Sequence, residues 1–573
     1  MARHETPIFH DLLDALQHHA ERDPDRLAFT FVVDDGQNDA RLSFGELLDR
    51  TIQIGSSLSD RTAAGERVLL MLPPSLDFIP TFWGASWAGL VPCVAYPPVS
   101  PSATAAVASL FREVQASCVI TSEATASSLA ATPHWKELGL PEPIAWETLE
   151  NGASKRKRRD TELAFIQFTS GSTSSSKGVR VTRKGLASHC EQARAAFHYD
   201  RHTVAVYALP LNHCFGLFAA LICPTYVGHT CAQLSPQRFA EQPLSWLKAI
   251  DRFRGTVSAA PNFAYELLCR SMSDVCASDM KLDLSCLRFA GMGGEVMQPS
   301  NLGRVADVLR PFGLSADALK PAYGLSEATM YISGSATTGL ARVAFFDGPA
   351  LRRGQVESAA PNAANARAFV GVGPVIPGSE VVLVDLDTSR RAERGRVGEI
   401  WFRGPGVADG YWGRPEASEA AFGAKLEATG PRYLRTGDLG FIDQGELFVS
   451  GRCKELIVVD GLRFFPSELE ASVRECGPEV AGAAMAAFPC AGAGGAGFAL
   501  AIELDPPSPA LAERIFARIA RDHQIECELL IFAPTSSLPR TTRGKVQRLG
   551  VASLASESRL PGVTLRRSQR AGP

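Results

Sequence analysis

The chain has 573 residues, 45% of them hydrophobic and 21% charged, with a formal net charge of −3. This is an ordinary globular composition, long enough for several packed domains, with no basic excess of the kind nucleic acid attracts. The 13 cysteines are scattered, odd in number and free of any C-x-x-C pair. That argues against a disulfide framework or a zinc site and for reduced thiols in a cytoplasmic protein.

The N-terminal segment "MARHETPIFHDLLDALQHHAERDPDR" is amphipathic and charged, so it does not read as a signal peptide. No apolar run reaches membrane-spanning length, and no span is expected. A helix is predicted over 8–21 and a strand over 27–33. Ser43 stands three residues before Glu46, the spacing of a capping box, at the start of a helix over 42–58. "RVLLMLPPS" at 67–75 reads as a strand ending in a proline turn. A helix and a strand follow over 77–98, and another strand over 117–122. Strands alternating with helices predict a doubly wound α/β architecture.

"LAFIQF" at 163–168 reads as a buried strand, and "TSGSTSSSKG" at 169–178 follows it. Five Ser, two Thr, two Gly and one Lys offer hydroxyl and backbone N–H donors with little bulk. Such a loop suits a phosphate chain, and equally a flexible polar linker. It is not a P-loop: Lys177 precedes Gly178, and no Ser or Thr follows the lysine. The basic run "KRKRR" at 155–159 reads as a solvated loop before the buried strand. After the loop come a strand edge and a helix over 179–197. Farther on, His213 lies in a turn between an apolar strand and an apolar helix, where it reads as a backbone-satisfied histidine or a ligand-site group.

"LRFAGMGGEVM" at 287–297 is a strand running into a glycine-rich turn, and "LKPAYGLSEATMYISG" at 319–334 carries Tyr323 and Glu327 on a loop. Residues 335–368 lose periodicity and read as an inserted loop. An antiparallel, β-rich stretch over 378–413 follows. Asp443-Gln444-Gly445 reads as a hairpin turn, and 450–454 as a polar joint between strands. Beyond it the pattern is small α+β, with a short basic tail after 560 expected to be disordered. The predicted fold class is therefore α/β. A large N-terminal domain, 1–451, would hold two doubly wound sheets plus a β-rich subdomain. A small mobile α+β C-terminal domain, 452–573, would follow.

Four separated stretches, 169–178, 323–329, 433–454 and 539–548, together resemble the motifs of the adenylate-forming, or acyl-activating, superfamily. Within it the chain is most similar to fatty acyl-AMP ligases, on "AYPP" at 95–98, "PLNHCFGL" at 210–217, "APNFAYEL" at 260–267 and the insertion near 335–368. The resemblance implies ATP-dependent activation of a fatty acid to acyl-AMP with release of pyrophosphate. The acyl group would then pass to the phosphopantetheine thiol of a carrier protein acting in trans. An acyl-CoA synthetase and an aryl or amino acid adenylating enzyme stay open as alternatives. It also implies roles, with ATP and Mg²⁺ as cofactors. Thr169, Ser170, Gly171, Ser172 and Thr173 would cradle the β- and γ-phosphates, with Lys177 as a mobile cation. Gly293, Gly294 and Glu295 would wall the adenine opposite Tyr323 and Gly324. Ser326 would meet the α-phosphate, Glu327 the metal ion, and Asp438 and Arg452 the ribose. Lys545 would be the catalytic ammonium, Lys454 the hinge, and His213 the group at the junction of acyl and nucleotide pockets. In this family such an insertion braces the two domains and disfavours coenzyme A.

Overall fold

The computed structural model describes residues 7–34, 38–150, 155–169, 176–273, 280–334, 339–492, 495–505, 509–540 and 546–566. Two large sheets organise it. The first has seven strands in the order Leu319–Pro321, Phe289–Gly293, Val257–Pro261, Val204–Tyr207, Thr230–Leu234, Leu27–Val32 and Ala40–Ser43. All neighbours are parallel except the last pair. The second has six strands in the order Ile144–Ala145, Ala116–Thr121, Arg67–Leu70, Val91–Val94, Leu163–Phe168 and Gly178–Thr182, again parallel but for the last pair. Their strands are apolar runs because helices cover both faces. One continuous core joins the two sheets, from Phe29 and Tyr207 in the first to Val68 and Phe165 in the second. The carboxyl ends of five parallel strands, two from the second sheet and three from the first, converge on a cleft lined by Phe31, Leu72, Val94, Leu209 and Leu234.

A four-stranded antiparallel sheet follows, Glu380–Val384, Gly398–Arg403, Leu434–Asp443 and Glu446–Arg452. Its last hairpin turns through Gln444 at φ 50° and Gly445 at φ 84°, the left-handed pair that the Asp-Gln-Gly signal predicts. After the short helical turn Cys453–Glu455 comes a separate apolar core. There Phe464, Leu469, Leu500, Ile515 and Leu530 pack between the helix Pro509–His523 and a mixed sheet. That sheet comprises Met485–Gly492, Gly495–Glu503, Cys527–Ala533 and Val563–Arg566.

Local signals held where chemistry is local. Ser43 and Glu46 form the reciprocal capping box, and the helix runs Phe44–Ser59. The first helix starts at Leu12 rather than residue 8, because the Asp11 carboxylate accepts the Leu13 N–H at 2.8 Å and caps it there. The basic run is a surface loop, as expected, held by its arginines. Arg156 pairs with Asp60 and Arg158 with Asp14, while Arg159 donates to the carbonyls of Thr62 and Ala88.

Two expectations are corrected. The described part of the inserted stretch is not an irregular loop. Val343–Asp347 pairs antiparallel with Ala366–Val370, and the helix Gly348–Arg352 between them is capped by Asp347. Its elements are too short to show a period, and tertiary contacts hold them: Phe346 is buried edge-on against Phe441 and Phe448. The second concerns the tail, expected to be disordered after 560. Val563–Arg566 instead adds an antiparallel edge strand to the C-terminal sheet, which satisfies backbone groups of Cys527–Ala533.

Among the described residues no helix is long and apolar enough to cross a membrane, and the cysteines are free thiols.

Candidate active site

The strand Leu163–Phe168 and its antiparallel neighbour Gly178–Thr182 form the stem of the serine-rich loop. Thr169 N–H donates to the Lys177 carbonyl at 2.9 Å, and Lys177 N–H donates to Thr169 Oγ1 at 3.2 Å. Ser176 Oγ donates to the Thr169 carbonyl at 2.5 Å. The stem thus closes through Thr169, Ser176 and Lys177. Ser170, Gly171, Ser172 and Thr173 lie outside the described residues. Lys177 Nζ rests 4.5 Å above the ring of Tyr411.

Glu327 sits in a single 3₁₀ turn, Ser326–Ala328, that follows the strand Tyr323–Gly324. Its Oε1 accepts the Tyr411 hydroxyl at 2.9 Å, and its carbonyl accepts the Ala408 N–H at 2.9 Å. Burial pushes the Glu327 carboxyl above its usual range, and the Tyr411 hydrogen bond opposes that shift. Tyr411 was not legible in the sequence. It stands in "DGYWG", a turn-like run with no period, and reaches the site because 410–412 pairs alongside the loop stem.

Tyr323 extends from the carboxyl end of Leu319–Pro321, where Ala322 N–H donates to the Met292 carbonyl of the adjacent parallel strand. Gly293, Gly294 and Glu295 leave that adjacent strand's end. A Cβ on Gly293 would meet the Ala322 carbonyl oxygen at 3.0 Å, and Gly294 needs φ 79°. Gly324 is still tighter: its Cβ would lie 1.6 Å from the Met330 carbonyl oxygen, so only glycine fits. Beyond the ring, Tyr323 Oη donates to Asp438 Oδ2 at 2.7 Å, and Arg452 Nε lies 3.3 Å from Asp438 Oδ1. Asp438 and Arg452 are direct partners across the antiparallel ladder. Burial and the adjacent Asp438 carboxylate push the Tyr323 phenol upward, so it stays a donor. His189, also missed in the sequence, supports this turn from the buried face of the helix Arg183–Phe197. Its Nε2 accepts the Tyr331 N–H at 2.9 Å.

His213 caps the helix Cys214–Leu217, its Nδ1 accepting the Phe215 N–H at 3.2 Å. Gln167, in the strand before the serine-rich loop, donates to the Asn212 carbonyl at 3.1 Å. This bond ties the His213 turn of one sheet to the loop strand of the other. Leu209 and Leu211, just upstream, line the apolar cleft.

Lys454 is exposed in the turn Cys453–Glu455. Lys545 lies outside the described residues, but its flanks are anchored. Arg540 bridges to Val546, and Gln547 N–H donates to the Pro539 carbonyl at 2.8 Å. Arg548 clamps Glu470 at 2.7 Å and Glu455 at 2.9 Å.

The described residues hold no cluster of three or more His, Cys, Asp or Glu side chains fit to cage a metal. A single carboxylate, Glu327, linked through Tyr411 to the stem of the serine-rich loop, would suit Mg²⁺, which keeps several waters and is bound by one or two carboxylates plus substrate phosphates.

These features sit in a chain whose residues 16–412 match the family model of the AMP-binding enzymes, and whose residues 454–561 match the AMP domain of Disco-interacting protein 2-like proteins. The chain belongs to the AMP-binding enzyme family. Its relatives within the AMP-binding enzymes include a medium-chain-fatty-acid–[acyl-carrier-protein] ligase of Moorena producens, 33% identical over 95% of this chain and 94% of the relative. A 4-hydroxyphenylalkanoate adenylyltransferase of Mycobacterium marinum is 31% identical over 96% of this chain and 92% of its own length. Among solved AMP-binding structures, the fatty acyl-adenylate ligase of Legionella pneumophila with acyl adenylate and pyrophosphate aligns at TM-score 0.73 and 27% identity, covering 97% of this chain and 98% of that one. A structure from work on the fatty acyl-adenylate ligases of E. coli and L. pneumophila aligns at TM-score 0.83 and 26% identity, over 96% and 98%.

Proposed function

We propose that this AMP-binding enzyme condenses a fatty acid with ATP to give acyl-AMP and pyrophosphate, then passes the acyl group to the phosphopantetheine thiol of a carrier protein. The observation that carries the reading is the full-length similarity to a medium-chain-fatty-acid–[acyl-carrier-protein] ligase, and the contacts of Tyr323 with Asp438 and of Glu327 with Tyr411 support it.

The chemistry follows from charge. A carboxylate oxygen forms a bond to the α-phosphorus while the bond to the bridging oxygen of pyrophosphate breaks. Two anions must meet, so catalysis is positioning plus positive charge and donors aimed at the transition state. Tyr323 would stack on adenine against Gly293, Gly294 and Glu295, and Asp438 would accept both ribose hydroxyls with Arg452 beside it. Thr169 to Thr173 and Lys177 would hold the β- and γ-phosphates, and Ser326 the α-phosphate. Mg²⁺, held by Glu327, would supply neutralising charge on the phosphates. Lys545 would bring its ammonium between the carboxylate and the α-phosphate. It must then withdraw, because the thiol approaches the same carbonyl, which is the reason for a hinge at Lys454 between domains 1–451 and 452–573. In the second step the thiol sulfur bonds to the carbonyl carbon, AMP leaves and the thiol proton is lost. The apolar cleft beside His213 suits an extended chain ending at that carbonyl. Buried free thiols such as Cys93 and Cys231 support a cytoplasmic setting.

The test incubates the enzyme with ATP, Mg²⁺ and a panel of straight-chain and aryl acids, with coenzyme A or a phosphopantetheinylated carrier as acceptor. The reading predicts fatty-acid-dependent pyrophosphate release and loading of the carrier. Efficient acyl-CoA formation, or turnover confined to aryl or amino acids, overturns it.

A further inference from the structure

We propose that Tyr411 is a positioning residue of the nucleotide site, whose hydroxyl sets Glu327 for the cation and whose ring parks Lys177 beside the phosphate loop. The proposal rests on the adenylating function above and assigns within it a residue that no motif of the resemblance included.

Tyr411 is 7% exposed and is held on every side. Its backbone bridges to Val179 in the loop stem, and the next N–H, of Trp412, donates to the Gly178 carbonyl at 2.7 Å. Arg180 pairs with Asp409 at 2.6 Å on the same two segments. Tyr411 N–H donates to Ser418 Oγ at 2.8 Å, and the ring packs edge-on against Phe422 at 5.2 Å. A side chain fixed this firmly has little rotamer entropy left to lose when it makes a further contact. Two functional contacts result. The phenol O–H donates to Glu327 Oε1 at 2.9 Å, which fixes the orientation in which the carboxylate would meet a cation. The π-face receives Lys177 Nζ at 4.5 Å. Cation–π attraction is strong enough to hold an ammonium in place and weak enough to release it to a phosphate. Burial pushes the phenol's own ionisation upward, and Glu327 adds to that push, so the group remains a donor. Tyr411 thus couples the loop cation and the metal-site carboxylate, which reach it from separate parts of the chain.

Calorimetric ATP binding to the full-length enzyme, in EDTA and in a Mg²⁺ titration, separates the roles. Tyr411→Phe keeps the ring and removes the hydroxyl. ATP affinity in EDTA should stay within about twofold of wild type, while the Mg²⁺-dependent gain in affinity falls about tenfold. Tyr411→Leu removes both contacts and should also weaken binding in EDTA about threefold. In a Glu327→Gln background, Tyr411→Phe should add no further Mg²⁺ effect, which closes a double-mutant cycle. Full Mg²⁺ enhancement in Tyr411→Phe overturns the proposal. So does equal weakening with and without Mg²⁺, the mark of a merely structural residue, and so does additivity with Glu327→Gln. Failure of the wild-type enzyme to bind ATP would instead refute the function proposed above.

Discussion

Arg352 offers a quantitative test of how the segment 343–370 holds the C-terminal unit. It closes the helix Gly348–Arg352, is 6% exposed, and reaches across to the helix Pro509–His523. Its guanidinium donates to the His523 carbonyl at 3.1 Å and to His523 Nδ1 at 2.9 Å, and its centre lies 4.7 Å over the Phe464 ring. Because arginine only donates, His523 Nδ1 must accept, which leaves Nε2–H to donate to Ser472 Oγ at 2.8 Å. Arg352→Ala would orphan two buried acceptors, at about 1–3 kcal/mol each, and lose a desolvated cation–π contact. Removing a buried cation's desolvation cost offsets part of this. A net loss of about 3 kcal/mol corresponds to a rise on the order of 100-fold in local opening. Amide hydrogen exchange should therefore quicken by about that factor in Pro509–His523 and in the hairpin strand Leu462–Phe464, with protection in the seven-stranded sheet unchanged. Unchanged exchange in Pro509–His523, or an equal rise everywhere, would refute the claim that Arg352 clamps these units together.

Asp438→Asn removes the charge that pairs with Arg452 and accepts from Tyr323. A charge-assisted hydrogen bond is worth about 1.5–3 kcal/mol, so ATP affinity measured by calorimetry should fall about 10- to 100-fold, and affinity within twofold of wild type would contradict the ribose assignment. Acid should destabilise the fold through its buried histidines. Burial lowers His19, His189 and His229 to about 4 and His523 to about 3. The unfolded chain takes up these protons near pH 6.5 and the folded chain does not. Their contribution is thus intact above about 6.5 and declines as pH falls from there, by roughly 1.4 kcal/mol per unit for each histidine. Urea unfolding at pH 7.5, 6.0 and 5.0 should show that slope, and His523→Gln should flatten it by about one proton. A stability flat from 7.5 to 5.0 contradicts the buried neutral assignments.

What the sequence revealed and what it hid divide along a physical line. The Ser43–Glu46 box, the Gln444–Gly445 turn and the strands flanking the serine-rich loop are local chemistry, written in adjacent residues. Tyr323, Glu327 and Asp438 were singled out through motif resemblance alone, and the structure brings Tyr323 into contact with Asp438 and Glu327 into contact with Tyr411. Tyr411, His189 and Arg352 were not legible. Each acts through a partner far along the chain, 84 residues away for Tyr411 and Glu327, 142 for His189 and Tyr331, and 171 for Arg352 and His523. No periodicity or spacing encodes such pairs. The inserted stretch misled for the same reason: its short strands and single-turn helix are stabilised by Phe346 packing on Phe441 and Phe448 rather than by propensity.

The central claim is that a carboxylate oxygen attacks the α-phosphorus of ATP. Reaction of the enzyme with ATP, Mg²⁺ and a fatty acid carrying ¹⁸O in both carboxyl oxygens, followed by mass analysis after transfer to the carrier thiol, tests it directly. The account predicts one ¹⁸O in AMP and none in pyrophosphate. Unlabelled AMP, or label in orthophosphate with ADP as co-product, would contradict it.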